Sequence, residues 1–135
     1  MSLRSVFAVL VTSDLNGSRR FYEGLIGMQA GFVSDWYVHL LLPANPAVQL
    51  GLVVAGHESV PAGAQQPNHA VILGIEVADV SVLYETLRAH DAAILGPPRD
   101  EPWGQRHFLA YDPQGFLIDL VQTIPPTAEY ASAYV

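Results

Sequence analysis

Apolar residues along this chain come in short runs separated by polar turn formers, and one succession of runs occurs twice. Residues 6–14, VFAVLVTSD, are an apolar run ending in Asp14. LNGSRRFYEGLIG follows, with Leu15, Phe21, Tyr22, Leu25 and Ile26 near helical spacing. Residues 71–79, VILGIEVAD, repeat the theme and end in Asp79, after which VSVLYETLRAH puts Val80, Leu83, Tyr84 and Leu87 on one face. Asp14 and Asp79 both stand where a helix N-cap belongs, since a short acceptor side chain there satisfies exposed backbone N–H groups. Gly27 supplies the stop of the first helix.

Three strand-like runs follow each helix. They are MQAGFVS, WYVHLLL and AVQLGLVV in the first half, and AAILG, RHFLAY and FLIDLV in the second. The last two runs of each half are joined by the turn formers PANP and DPQG. Each half therefore reads β-α-β-β-β, an α+β pattern in tandem. The first module spans about residues 4–54 and the second about 70–123. A Pro-, Gly- and Gln-rich linker, 55–69, joins them, and a tail, 124–135, orders only by packing on something. The segment PPRDEPWGQ, 97–105, is longer than its counterpart in the first half and reads as a loop.

Composition narrows the function classes. The chain has 135 residues, half of them hydrophobic and 14% charged, which suits one compact domain with a core. Its net charge of −7, with six Lys plus Arg and no basic cluster, repels a phosphate backbone, so nucleic acid is not expected as a partner. The absence of cysteine removes disulfides, thiol catalysis and zinc–thiolate sites together. VFAVLV is too short to span a bilayer. The expectation is a soluble, cytoplasmic protein with no membrane partner.

Two βαβββ units, with SDLNGSRRFYEGLIGM near the start and DPQGFLIDLVQ near the end, resemble the vicinal oxygen chelate superfamily of glyoxalases, extradiol dioxygenases and bleomycin resistance proteins. That resemblance implies tandem modules forming a curved mixed sheet around a cavity, and a homodimer. It also implies four metal-ligand positions, in the first and last strand of each module. Carried onto this chain they fall on Phe7, Gln49, Ile72 and Asp119. Two are hydrocarbon and one is a neutral amide, whereas a divalent cation needs three or four N or O donors. The expectation is no metal and no cofactor at that position.

Side chains alternate across a strand, so parity assigns faces once one position is set. Taking the carried-over positions as cavity-facing puts Phe7, Gln49, Ile72, Glu76 and Asp119 on one surface. Parity borrowed from the resemblance adds Tyr37, His39, His107 and Tyr111. His39, His107 and Asp119 then form a displaced ligand set or an acid–base pair, the one place for catalysis. Otherwise the surface is apolar and aromatic, the usual make-up of a small-molecule site, with Phe7, Tyr37, Gln49, Ile72, Glu76, Trp103 and Tyr111 as binding residues. Trp103, beside Gly104, suits a lid or an interface anchor. The blander roles are as specific. His90 ends a helix and favours its dipole, Arg106 pairs with Asp100 or Glu101, and His57 and His69 are solvated linker residues. The leading functional reading is a metal-free binder of a hydrophobic or aromatic small molecule. The alternative is a lyase or dioxygenase-like enzyme using the displaced site.

Overall fold

A computed structural model describes residues 2–66 and 70–135, and His69 lies outside the described residues. The chain forms two compact units, residues 1–68 and 69–135, each built on a mixed sheet with a helix against one face.

In the first unit β1 (Ala8–Thr12) leads into α1 (Leu15–Arg20), followed by β2 (Gln29–Val33), β3 (Tyr37–Leu42) and β4 (Asn45–Val54). The strand order is β1-β4-β3-β2, with β1 parallel to β4 and the other pairs antiparallel. Asp14 caps α1 by accepting from the Gly17 N–H at 2.9 Å. The helix then widens into a π-type segment, Phe21–Ile26, closed when Gly27, at φ 96°, donates its N–H to the Tyr22 carbonyl five residues back. A positive φ of this size is readily reached only by glycine. The sheet face under the helix supplies Leu10, Val38, Leu40, Leu50 and Leu52, packed with the buried Phe21 and Tyr22. Truncating one such leucine to alanine costs about 2–5 kcal/mol.

The second unit repeats the plan with β5 (Leu73–Glu76), α2 (Val80–Ala89), β6 (Ala93–Ile94), β7 (Arg99–Glu101), β8 (Gln105–Tyr111) and β9 (Leu117–Thr123). β5 is parallel to β9, and β8 lies between β9 and the edge formed by β6 and β7. Asp79 caps α2 through the Ser81 and Val82 N–H groups. At the other end His90 donates from Nδ1 to the Thr86 carbonyl, which fits its expected place beside the helix dipole. Tyr84 meets Phe108 edge-on, and Leu87, Ile118 and Leu120 are fully buried.

Four local expectations need correcting. β4 begins at Asn45, inside the stretch read as a turn. The run 92–96 yields only a two-residue strand, and the stretch read as a loop contains β7. Pro97 and Pro98 are the reason, since proline donates no ladder hydrogen bond and splits the edge in two. The linker carries a 3₁₀ turn, Ala62–Ala64, and its His57 is half-buried, stacked on Trp36 with ring centroids 3.9 Å apart. The tail forms a short helix, Ala128–Ala131, and packs on the tip of the β7–β8 turn. The Thr127 N–H donates to the Pro102 carbonyl, the Ile124 N–H to Gly104, and the Tyr134 hydroxyl to Trp103.

Candidate functional site

Each sheet has one face under its helix and one face turned away, and strand alternation sorts the chemistry onto the second. In the first unit that face carries Val9, Val11, Tyr37, His39, Gln49, Gly51 and Val53, because their neighbours Leu10, Thr12, Val38, Leu40, Leu50 and Leu52 are buried on the other. The linker folds over this surface. Together they line an open hollow of about 430 Å³ between Val9, Val11, Trp36, Tyr37, Val53 and the strap formed by Ser59, Val60, Pro61 and Ala64. Among the described residues no charged side chain lines it.

The polar groups beside the hollow form a neutral chain. The Tyr37 hydroxyl lies 2.7 Å from His39 Nδ1, His39 Nε2 lies 2.7 Å from Gln49 Oε1, and Gln49 Nε2 donates to the Pro46 carbonyl at 3.0 Å. Phe7 meets the His39 ring edge-on at 4.8 Å. Burial pushes the Tyr37 hydroxyl above its ordinary value, so it is held as the neutral phenol. Gly51 makes this possible: a Cβ there would come within 2.5 Å of the Tyr37 oxygen and 3.1 Å of Val9.

The second unit places a charged chain on the matching face. His107 Nδ1 is 2.7 Å from Asp119 Oδ1, and its Nε2 is 3.3 Å from Glu101 Oε1. Glu101 is in turn 2.5 Å from Arg99 Nε. Both ring nitrogens of His107 thus face carboxylate oxygens. His107 also borders a hollow of about 280 Å³ lined by Leu95 to Arg99 and by Phe108 and Leu109, where the broken edge strand leaves β8. Asp119 is thus a paired acid within a strand, and its partner is His107.

The other named residues are spread out. Glu76 accepts from the Thr123 hydroxyl at 2.8 Å, Ile72 is more than half exposed ahead of β5, and Tyr111 is exposed at the end of β8. Trp103 donates to Gln105 Oε1 at 2.9 Å and sits under the tail, which ties its turn down rather than leaving it a free lid. Arg106 pairs with Asp100 through two contacts, 2.6 and 3.0 Å, which holds the Asp100 carboxyl below its usual range.

Register corrects one equivalence. Val9 and Gly74 each stand five residues before their N-cap acids, and they pair with Gly51 and Asp119. Gly51, not Gln49, is therefore the counterpart of Asp119. Two residues beyond, Val53 pairs with Tyr37 and Val121 with His107, so Tyr37 and His107 are counterparts as well. A slip of two residues preserves the face, which is why alternation alone did not reveal it. The donor set does not fit the metal the fold family implies: Phe7, Gly51 and Ile72 offer no donor, and Asp119 is committed to His107. Among the described residues no three His, Asp or Glu side chains are grouped to hold a metal ion. Within the first unit both nitrogens of His39 are engaged, by Tyr37 and Gln49. The strap at 59–64 was missed in the sequence because an aperiodic Pro/Gly segment carries no pattern that marks a wall.

Among the described residues no helix is long and apolar enough to cross a membrane. No curated protein matches this chain. Solved structures do. A glyoxalase/bleomycin resistance protein/dioxygenase from Nocardioides is 26% identical, with 92% of this chain and 86% of that one covered and a TM-score of 0.68. A superfamily member from Sphaerobacter thermophilus is 23% identical over 90% of this chain and 98% of its own, at 0.74. A virulence protein from Salmonella typhimurium is 22% identical over 92% and 99%, at 0.72. The Glyoxalase/Bleomycin resistance protein/Dioxygenase superfamily profile matches residues 4–120, and the chain belongs to that superfamily.

Proposed function

We propose that this protein binds a hydrophobic or aromatic small molecule without a metal, in the hollow of its first module. One observation carries this: an uncharged hollow of about 430 Å³ with Trp36 and Tyr37 as flat faces, aliphatic walls and a strap over it. That volume is within the range of small-molecule sites. Burying a charged group there goes uncompensated, so a neutral ligand is favoured. The reading extends to a cytoplasmic homodimer that binds neither nucleic acid nor membrane. Thermal-shift screening against neutral planar aromatics tests it. A ligand at 100 times its Kd stabilises the folded state by about 2.7 kcal/mol, which moves the midpoint by several degrees. If no compound moves the midpoint, the reading fails.

A second reading, a lyase or dioxygenase-like enzyme, is favoured by the Glu101–His107–Asp119 chain beside the smaller hollow. The imidazole there can pass a proton only if one carboxylate releases it. The readings part at His107: H107Q keeps binding in the first module intact under the first and abolishes turnover under the second.

A further inference from the structure

The hydrogen-bond chain beside the first-module hollow has a direction, and that direction selects the ligand. The Pro46 carbonyl only accepts, so the Gln49 group facing it is the NH₂ and the group facing His39 is the carbonyl oxygen. His39 therefore carries its proton on Nε2 and donates it to Gln49. In the neutral imidazole Nδ1 is then bare, and the Tyr37 hydroxyl donates to it. The Tyr37 proton is thereby committed away from the hollow, and its oxygen keeps only lone pairs to offer. That oxygen lies over Gly51, where a Cβ would meet it at 2.5 Å, and both Val9 and Tyr37 line the hollow.

We infer that the first-module hollow selects flat neutral molecules carrying an N–H or O–H donor, such as indoles and phenols, over isosteres that present a lone pair at the same position. This rests on the proposed binding role of the hollow and adds a polarity to it. A ring oxygen facing Tyr37 sets lone pair against lone pair, whereas an N–H makes a hydrogen bond. Charged forms such as phenolates find no compensating group on the walls.

Indole and benzofuran, which have the same shape and differ at N–H against O, are the probes. Titration calorimetry on the full chain is expected to show indole binding about five-fold more tightly than benzofuran, the scale of one net hydrogen bond. In Tyr37→Phe the ratio is expected to fall to about one, because the acceptor is gone. Equal affinities for the wild-type protein, or tighter benzofuran, overturn the donor rule while leaving the hollow as a binding site. Failure of both compounds to bind overturns the binding reading and the donor rule with it. A ¹⁵N spectrum of the His39 ring tests the direction independently of any ligand and of any variant's folding. The Nε2-protonated form is expected, and an Nδ1-protonated ring overturns the inference.

Discussion

The two modules share strand order, pairing register and N-cap, yet the same pair of positions does different work in each. In the first module Tyr37 stands above Gly51, and the space a glycine leaves is filled by a phenol oxygen that heads a neutral chain. In the second His107 meets Asp119, and the chain is ionic through Glu101 to Arg99. A neutral chain suits an apolar hollow, because it adds hydrogen-bonding polarity without a charge to desolvate. An ionic chain holds its carboxylates by mutual contact and leaves less for a ligand to do. The contrast teaches that fold symmetry is carried by the helix-facing residues, while the opposite face is free to diverge.

Several substitutions sharpen or break this contrast. The largest effect is expected for Asp119→Leu, which leaves a mostly buried His107 nitrogen without its acceptor and costs about 2–3 kcal/mol in urea denaturation. Gln49→Leu, its neutral analogue in the first module, is expected to cost about 1 kcal/mol. A smaller loss from Asp119→Leu than from Gln49→Leu breaks the distinction between charged and neutral chains.

Gly51→Val follows, at about 2 kcal/mol, since the added carbons overlap the Tyr37 oxygen and Val9. Gly74→Ala, in β5 of the second module opposite Asp119, meets nothing within 4 Å and is expected to stay within about 0.5 kcal/mol. Equal costs at the two glycines contradict the close approach of Tyr37.

Deleting residues 124–135 removes four hydrogen bonds to carbonyls of the Trp103 turn, from Ile124, twice from Thr127 and from Tyr134, together with the Tyr130 ring. The expected outcome is a red-shifted Trp103 emission in a W36F background and a stability loss of about 1 kcal/mol. An unshifted emission means that the turn holds itself.

The smallest effect is an acid sensitivity in the first module. Burial raises the Glu23 pKa, but the Arg19 hydrogen bond, the Ala30 N–H and the Arg19 charge outweigh it and leave the pKa below the usual 4.5. A lowered folded-state pKa contributes stability above the usual value, and that contribution is lost as pH falls through the folded value. Glu23→Gln should thus be less stable than wild type at pH 7 and converge with it at strongly acid pH. A gap that persists in acid contradicts the assignment.

Much of the fold was legible. The N-cap acids, the helix-spaced apolar residues and the turn formers located both modules, because those signals are local. The broken edge strand was not legible: Pro97 and Pro98 split it, and the region around them was read as one loop. Face was legible from alternation, and it brought His107 and Asp119 to one surface. Partners were not. Whether His39 or His107 serves Asp119 depends on register between strands far apart in sequence, and slips of two residues leave the alternation unchanged. The wall made by Ser59 to Ala64 was invisible because its position is set by packing rather than by any periodic pattern.

The central claim is that the neutral hollow of the first module is the binding site, and methyl NMR of the full chain titrated with indole tests it most directly. Saturable shifts confined to Val9, Val11, Val53 and Val60 are predicted. Absence of saturable shifts, or shifts centred on Leu95 and Leu109 in the second module, would contradict it.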